Sequence, residues 1–148
     1  MKLKSQLLEI CQQHADKRIR GYKNEIELIK ESIESNDKVS SEEDESGNSK
    51  LLDDLEKNMN YLNEAQKTRE QLQLIRPNLF SDSAVLGSVV KTETRVFFIA
   101  ISIGKIELEG NDYYIISLAS PIGQLLKQKK KGDGFEFNGE HYIITEVL

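Results

Sequence analysis

Apolar and small residues recur at Leu8, Cys11, Ala15, Ile19, Tyr22, Ile26, Ile29 and Ile33, in steps of three and four that draw one stripe along a helix. A second stripe is expected through Leu52, Leu55, Met59, Leu62, Ala65 or Gln66, Arg69, Leu72 and Ile75, again at heptad-like spacing, and Pro77 closes it. Between them, residues 36–49 hold Ser, Asn, Asp, Glu and Gly in place of apolar side chains, with Asn48 and Ser49 as N-cap candidates for the second helix. The chain is expected to reverse there. Two narrow stripes joined by a polar loop bury their apolar sides against each other, which predicts an antiparallel coiled-coil hairpin over residues 1–76.

Beyond Pro77 the period shortens. Val85 to Val90, Arg95 to Ile103, Ile106 to Leu108 and Tyr113 to Leu118 are rich in β-branched and aromatic residues and read as strands. Ser120-Pro121-Ile122-Gly123 offers an N-cap followed by a first-turn proline, with a short helix continuing through Gln124 to Gln128. Asn138-Gly139 lies between Phe135-Glu136-Phe137 and Tyr142-Ile143-Ile144, a two-residue hairpin signal. The predicted class is α+β: a helical hairpin, then a small, mostly antiparallel sheet domain with one short helix over residues 77–148.

Charge changes the picture at one place. The chain has 20 basic and 25 acidic side chains. Only Lys38 and Lys50 are basic in residues 36–56, against Asp37, Glu42, Glu43, Asp44, Glu45, Asp53, Asp54 and Glu56. This one segment therefore carries more than the whole negative balance. The single Cys11 excludes an internal disulfide and a multi-cysteine metal cage, and His14, one turn away in a polar stretch, gives it no ordered base. No apolar run follows Lys2 and Lys4, and Val96 to Ile101 is too short to cross a bilayer, so a cytoplasmic protein without membrane contact is expected. An EF-hand starting at Asp37 fails at Val39, Glu42 and Asn48. No Gly-rich phosphate loop, zinc-binding His-Glu-x-x-His or Gly-x-Ser-x-Gly elbow occurs, and no active site of the chain's own is expected. Lys127 and Lys129 to Lys131 read as a solvated helix end, Lys17, Arg18, Arg20, Lys23 and Lys30 as a solvated helix face, and His141 as structural.

The stretch Ile116-Ser117-Leu118-Ala119-Ser120-Pro121-Ile122-Gly123-Gln124-Leu125-Leu126, with Lys131-Gly132-Asp133, Tyr142-Ile143-Ile144-Thr145-Glu146-Val147 and Gly87-Ser88-Val89-Val90, resembles the C-terminal domain of Gre-type transcription elongation factors. The order of hairpin and sheet agrees with that family. The resemblance implies an FKBP-like domain docking at the rim of the RNA polymerase secondary channel, with Ala119, Ser120 and Pro121 on the docking surface and the hairpin threaded toward the catalytic centre. It also implies stimulated cleavage of backtracked RNA, with a magnesium ion shared with the polymerase and no tightly bound cofactor. Glu43 and Asp44, supported by Glu42 and Glu45, are then the candidate ligands, because magnesium takes a few carboxylate oxygens and keeps several waters. The family's cleavage factors carry an Asp-Leu-Ser-Glu-Asn type tip, where this chain has Ser40-Ser41-Glu42-Glu43-Asp44-Glu45. The alternative is a non-cleaving regulator or inhibitor in the same channel. Transcript RNA is a further expected partner of the basic hairpin face, and the protein is expected to act as a monomer. A prolyl isomerase is the reading from another class, weakened by the absence of Trp.

Overall fold

The computed structural model describes residues 2–38 and 45–148. Its elements are α1 (Lys2–Lys38), α2 (Glu45–Leu72), β1 (Val89–Thr92), β2 (Val96–Ile99), β3 (Gly104–Leu108), β4 (Asn111–Ile116), α3 (Pro121–Leu126), β5 (Gly134–Phe137) and β6 (Glu140–Val147). They form two compact units, one of Gln13–Glu70 and one of Met1–Gln12 with Gln71–Leu148. The class is the expected one: a long helical hairpin followed by a sheet domain with one short helix.

In the hairpin unit, every predicted α1 position from Ala15 to Ile33 is buried or half-buried. The α2 seam differs from the expected one. It runs through Leu51, Leu55, Asn58, Leu62, Ala65 and Arg69, while Leu52 and Met59 stand 54% and 52% exposed. Asn58 can occupy a seam position because its side-chain amide donates to the Asp54 carbonyl of its own helix at 2.8 Å. The partners Asp16–Arg69, Tyr22–Tyr61 and Asn36–Asn48 advance along the two helices by nearly equal steps, so a single antiparallel register runs through the unit. The polar segment is helical at both ends, since α1 runs to Lys38 and α2 starts at Glu45. Asn48 and Ser49 accordingly lie inside α2 and are not its caps.

Arg69 occupies the seam with its Nε 2.8 Å from Asp16 Oδ1, and its Nη1 is buried without an acceptor among the described residues. Asp16→Ala should therefore lower hairpin stability by about 1 kcal/mol, because the guanidinium loses its one counter-charge. Adding Arg69→Leu should recover that loss, since an apolar side chain fills a seam position without a desolvation cost. Urea melts of the single and double variants check this. A double variant no more stable than Asp16→Ala would contradict it.

The other unit holds a six-stranded sheet in the order β3-β4-β2-β1-β6-β5. All its pairings are antiparallel except β2 with β4, which run parallel because β3 returns the chain along the outer edge. Asn138 and Gly139 both have positive φ (51° and 80°), the two-residue turn expected between β5 and β6. Glu109 and Gly110 repeat the device between β3 and β4, with φ of 51° and 82°. β1 begins later than the apolar run predicts. Val85 to Ser88 instead form a turn, in which the Val85 amide donates to Ser88 Oγ at 3.0 Å and the Ser88 amide to the Val85 carbonyl at 3.0 Å. α3 covers one sheet face through Ile122 and Leu126, over a core centred on Phe97, whose ring lies 5.9 to 6.5 Å from those of Tyr114, Phe135 and Tyr142.

Candidate functional site

The three residues that the sequence resemblance marks for docking, Ala119, Ser120 and Pro121, lie at the start of α3, and there the local geometry is tightly specified. Ser120 is extended (φ -69°, ψ 158°) and caps the helix, its Oγ accepting from the Gly123 amide at 3.1 Å while donating to the Ser117 carbonyl at 2.6 Å. Both capacities of the hydroxyl are thus used inside the chain. The residues left on the surface are its neighbours: Ala119 and Pro121 are exposed on either side of half-buried Ser120. Beside them lies an open cleft of about 280 Å³, with Ser102, Ile103, Ile116, Ser120 and Ile122 among its walls. Ser102 and Ser117 are joined across 3.1 Å through their hydroxyls. Sequence reading missed Ser102 and Ile103 because the β2–β3 connection carries no motif; only the return of β4 alongside β2 brings it to α3.

Of the candidate metal ligands, Glu42, Glu43 and Asp44 lie outside the described residues, and Glu45 opens α2. The described chain fixes what brackets them. Asn36 Nδ2 donates to Asn48 Oδ1 at 3.2 Å, a contact between the two helices on either side of the segment that contains the acidic run. By sequence all four candidates are carboxylates, the donor type that magnesium accepts.

Four of the basic residues of α1 border clefts on two flanks of the hairpin unit. Lys17 and Arg18 line a shallow cleft of about 510 Å³ with His14, Tyr22 and Asn58. Arg18 Nη2 donates to the Tyr22 hydroxyl at 3.2 Å, and the Tyr22 ring lies 5.6 Å from that of Tyr61. Burial, then the charges of Arg18 and Lys17, hold the His14 pKa below its usual value. Lys23 and Lys30 border a second cleft on the other flank, with Met59 and Gln66. Lys17, Arg18, Arg20, Lys23 and Lys30 are all exposed, the solvated positions that the sequence predicts.

Cys11 is fully buried, and burial pushes its thiol up to about 12, so it holds no reactive thiolate. At pH 8 iodoacetamide should modify the native chain about a hundredfold or more slowly than the urea-unfolded chain, as followed by mass spectrometry. Equal rates would contradict the burial. As pH rises from the thiol's ordinary range toward 12, the unfolded chain loses its proton first, so this group withdraws stability over that interval. Lys127 is the C-cap of α3, its backbone N–H donating to the Gly123 carbonyl, so the basic run starts at the helix end as expected; Gln128 then turns the chain with φ of 66°, and Lys129 to Lys131 follow beyond it. His141 is exposed in β6 opposite Glu136 of β5. No described helix is long and apolar enough to cross a membrane.

No family model matches the chain, and no curated protein matches it. Among solved structures, it is similar to the transcription factor Gfh1, with 13% identity over 93% of this chain and 92% of that one and a TM-score of 0.36. It is also similar to GreA factor homolog 1 (Gfh1) of Thermus thermophilus, with 12% identity over 93% and 94% and a TM-score of 0.36. For Thermus aquaticus Gfh1 the identity is 17% over 94% of each chain, with a TM-score of 0.34.

Proposed function

We propose that this chain is an RNA polymerase-binding transcription factor, which docks through the α3 surface and inserts its acidic hairpin end into the secondary channel. The observation that carries the reading is the clasp of Asn36 to Asn48, which brackets Glu42 to Glu45 at the reversal of a single-register helix pair. A carboxylate cluster carried at the end of two paired helices can be delivered into a narrow passage. The exposed Ala119 and Pro121, set by the Ser120 cap beside an apolar cleft, supply a docking surface of the kind the sequence resemblance implies. In this reading Glu43 and Asp44 add oxygen ligands to a magnesium ion of the polymerase, and the polymerase itself cleaves backtracked RNA. An ion held there would supply electrostatic stabilisation to the attacking and leaving oxygens of the displacement.

The chain would then be a cofactor of another enzyme and not an enzyme. The exposed Lys17, Arg18 and Arg20 supply positive charge along α1 that transcript RNA could meet in the channel. Purified protein added to stalled, backtracked complexes should shorten their RNA from the 3′ end. A second reading, occupation of the channel without cleavage, is favoured by the Ser40-Ser41 and Glu42 to Glu45 tip. It predicts unshortened RNA together with displacement of a cleavage factor. Failure to bind the polymerase at all would remove both readings.

A further inference from the structure

The segment between α2 and β1 exposes three large apolar side chains, Leu74, Leu79 and Phe80, at 72%, 64% and 70%. They ring a cavity of about 210 Å³, into which Lys4 and Arg76 also project and which no acidic side chain lines. Lys4 is 4% exposed, and its Nζ donates to the Leu79 carbonyl at 3.0 Å. No carboxylate lies within ion-pair distance of it among the described residues. It stands one turn before Leu7 and Leu8, on the buried side of α1, where helical periodicity calls for an apolar residue. An ammonium held there forgoes most of its hydration for one neutral acceptor, and burial lowers its pKa accordingly. Two of its three protons remain for a ligand.

We propose that this cavity and its apolar rim form a docking site for a short partner peptide, in which one carboxylate flanked by large apolar side chains meets Lys4 and Arg76. The size of the site favours such an occupant. The hole is smaller than the roughly 300 to 1,000 Å³ of small-molecule pockets, so it takes a single side chain. The exposed rim offers more apolar surface than that side chain could cover, and the flanking residues of a peptide would cover the remainder. The two cations with no acid beside them set the sign of the occupant's charge. The site is built from this segment and Lys4 of α1, and it stands whether or not the chain binds polymerase.

A phage-displayed random-peptide library panned against the full chain tests it. The enriched peptides should carry Asp or Glu beside Leu, Ile or Phe, and a Phe80→Ser chain should not enrich them. With one such peptide labelled with fluorescein, changing its acidic residue to the amide should weaken binding about tenfold by anisotropy, a readout that needs no variant of the protein. Lys4→Met should weaken the acidic peptide to a similar degree and abolish the difference between acid and amide forms. Enriched peptides without an acid would overturn the proposal, as would an acid-to-amide effect unchanged by Lys4→Met. So would self-association of the chain, by sedimentation, that Phe80→Ser abolishes, since the patch would then seat a second copy.

Discussion

Gly123→Ala is expected to destabilise the sheet unit by about 3 kcal/mol or more, whereas Gly21→Ala should stabilise the chain by about 0.5 to 1 kcal/mol. The two glycines look alike in sequence, each within a helix. A Cβ on Gly123 would lie 1.9 Å from the Ser117 carbonyl oxygen and 2.9 Å from the Leu118 Cα, both backbone atoms that cannot swing aside. A Cβ on Gly21 would meet nothing within 4 Å. The close approach at Gly123 follows from the Ser120 cap. By bridging the Ser117 carbonyl to the Gly123 amide, that hydroxyl pulls the first turn of α3 onto the end of β4. Thermal melts followed by tyrosine dichroism should show Gly123→Ala lower by about 10 °C or more, because each kcal/mol moves a domain of this size by about 4 to 8 °C. Ser120→Ala should cost only about 1 kcal/mol, leaving a folded protein in which docking can be measured apart from folding. An unchanged melting temperature for Gly123→Ala would contradict the tight turn.

Those glycines show where sequence reading reaches and where it stops. The Ser120 cap was legible because Ser followed by Pro is a local signal with a local cause. The need for glycine at Gly123 was not, since it comes from the Ser117 carbonyl that the cap draws in. The stripe of α1 was legible because one apolar residue marks each turn. In α2 two neighbours compete at two places a heptad apart, Leu51 with Leu52 and Asn58 with Met59, and the opposing helix decides between them. Glu109-Gly110 escaped notice because Glu rarely adopts positive φ, whereas Asn138-Gly139 is a frequent pairing. Nothing in the sequence around Lys4 marks it as buried. Its burial depends on Leu79, 75 positions further along the chain.

Combining Glu43→Ala with Asp44→Ala is expected to slow RNA shortening in backtracked complexes by about 10- to 100-fold or more, the scale on which loss of metal-site groups acts. Binding to the polymerase should change little, because the proposed docking surface lies on α3 and the substitutions fall in residues 42–45. Two kinds of defect then separate by their response to magnesium. If the carboxylates hold the ion, their removal weakens its affinity, and raising magnesium should restore part of the rate. A docking variant such as Pro121→Asp lowers occupancy of the channel, which added magnesium cannot repair but added protein can. If the hairpin only fills the channel, no shortening occurs with either chain, and both displace a cleavage factor at the same concentration. Magnesium rescue of the tip variant, without rescue of the docking variant, is thus the result that assigns the acidic run a chemical role. Cleavage intact in the tip variant at every magnesium concentration would assign that run no role beyond solvation.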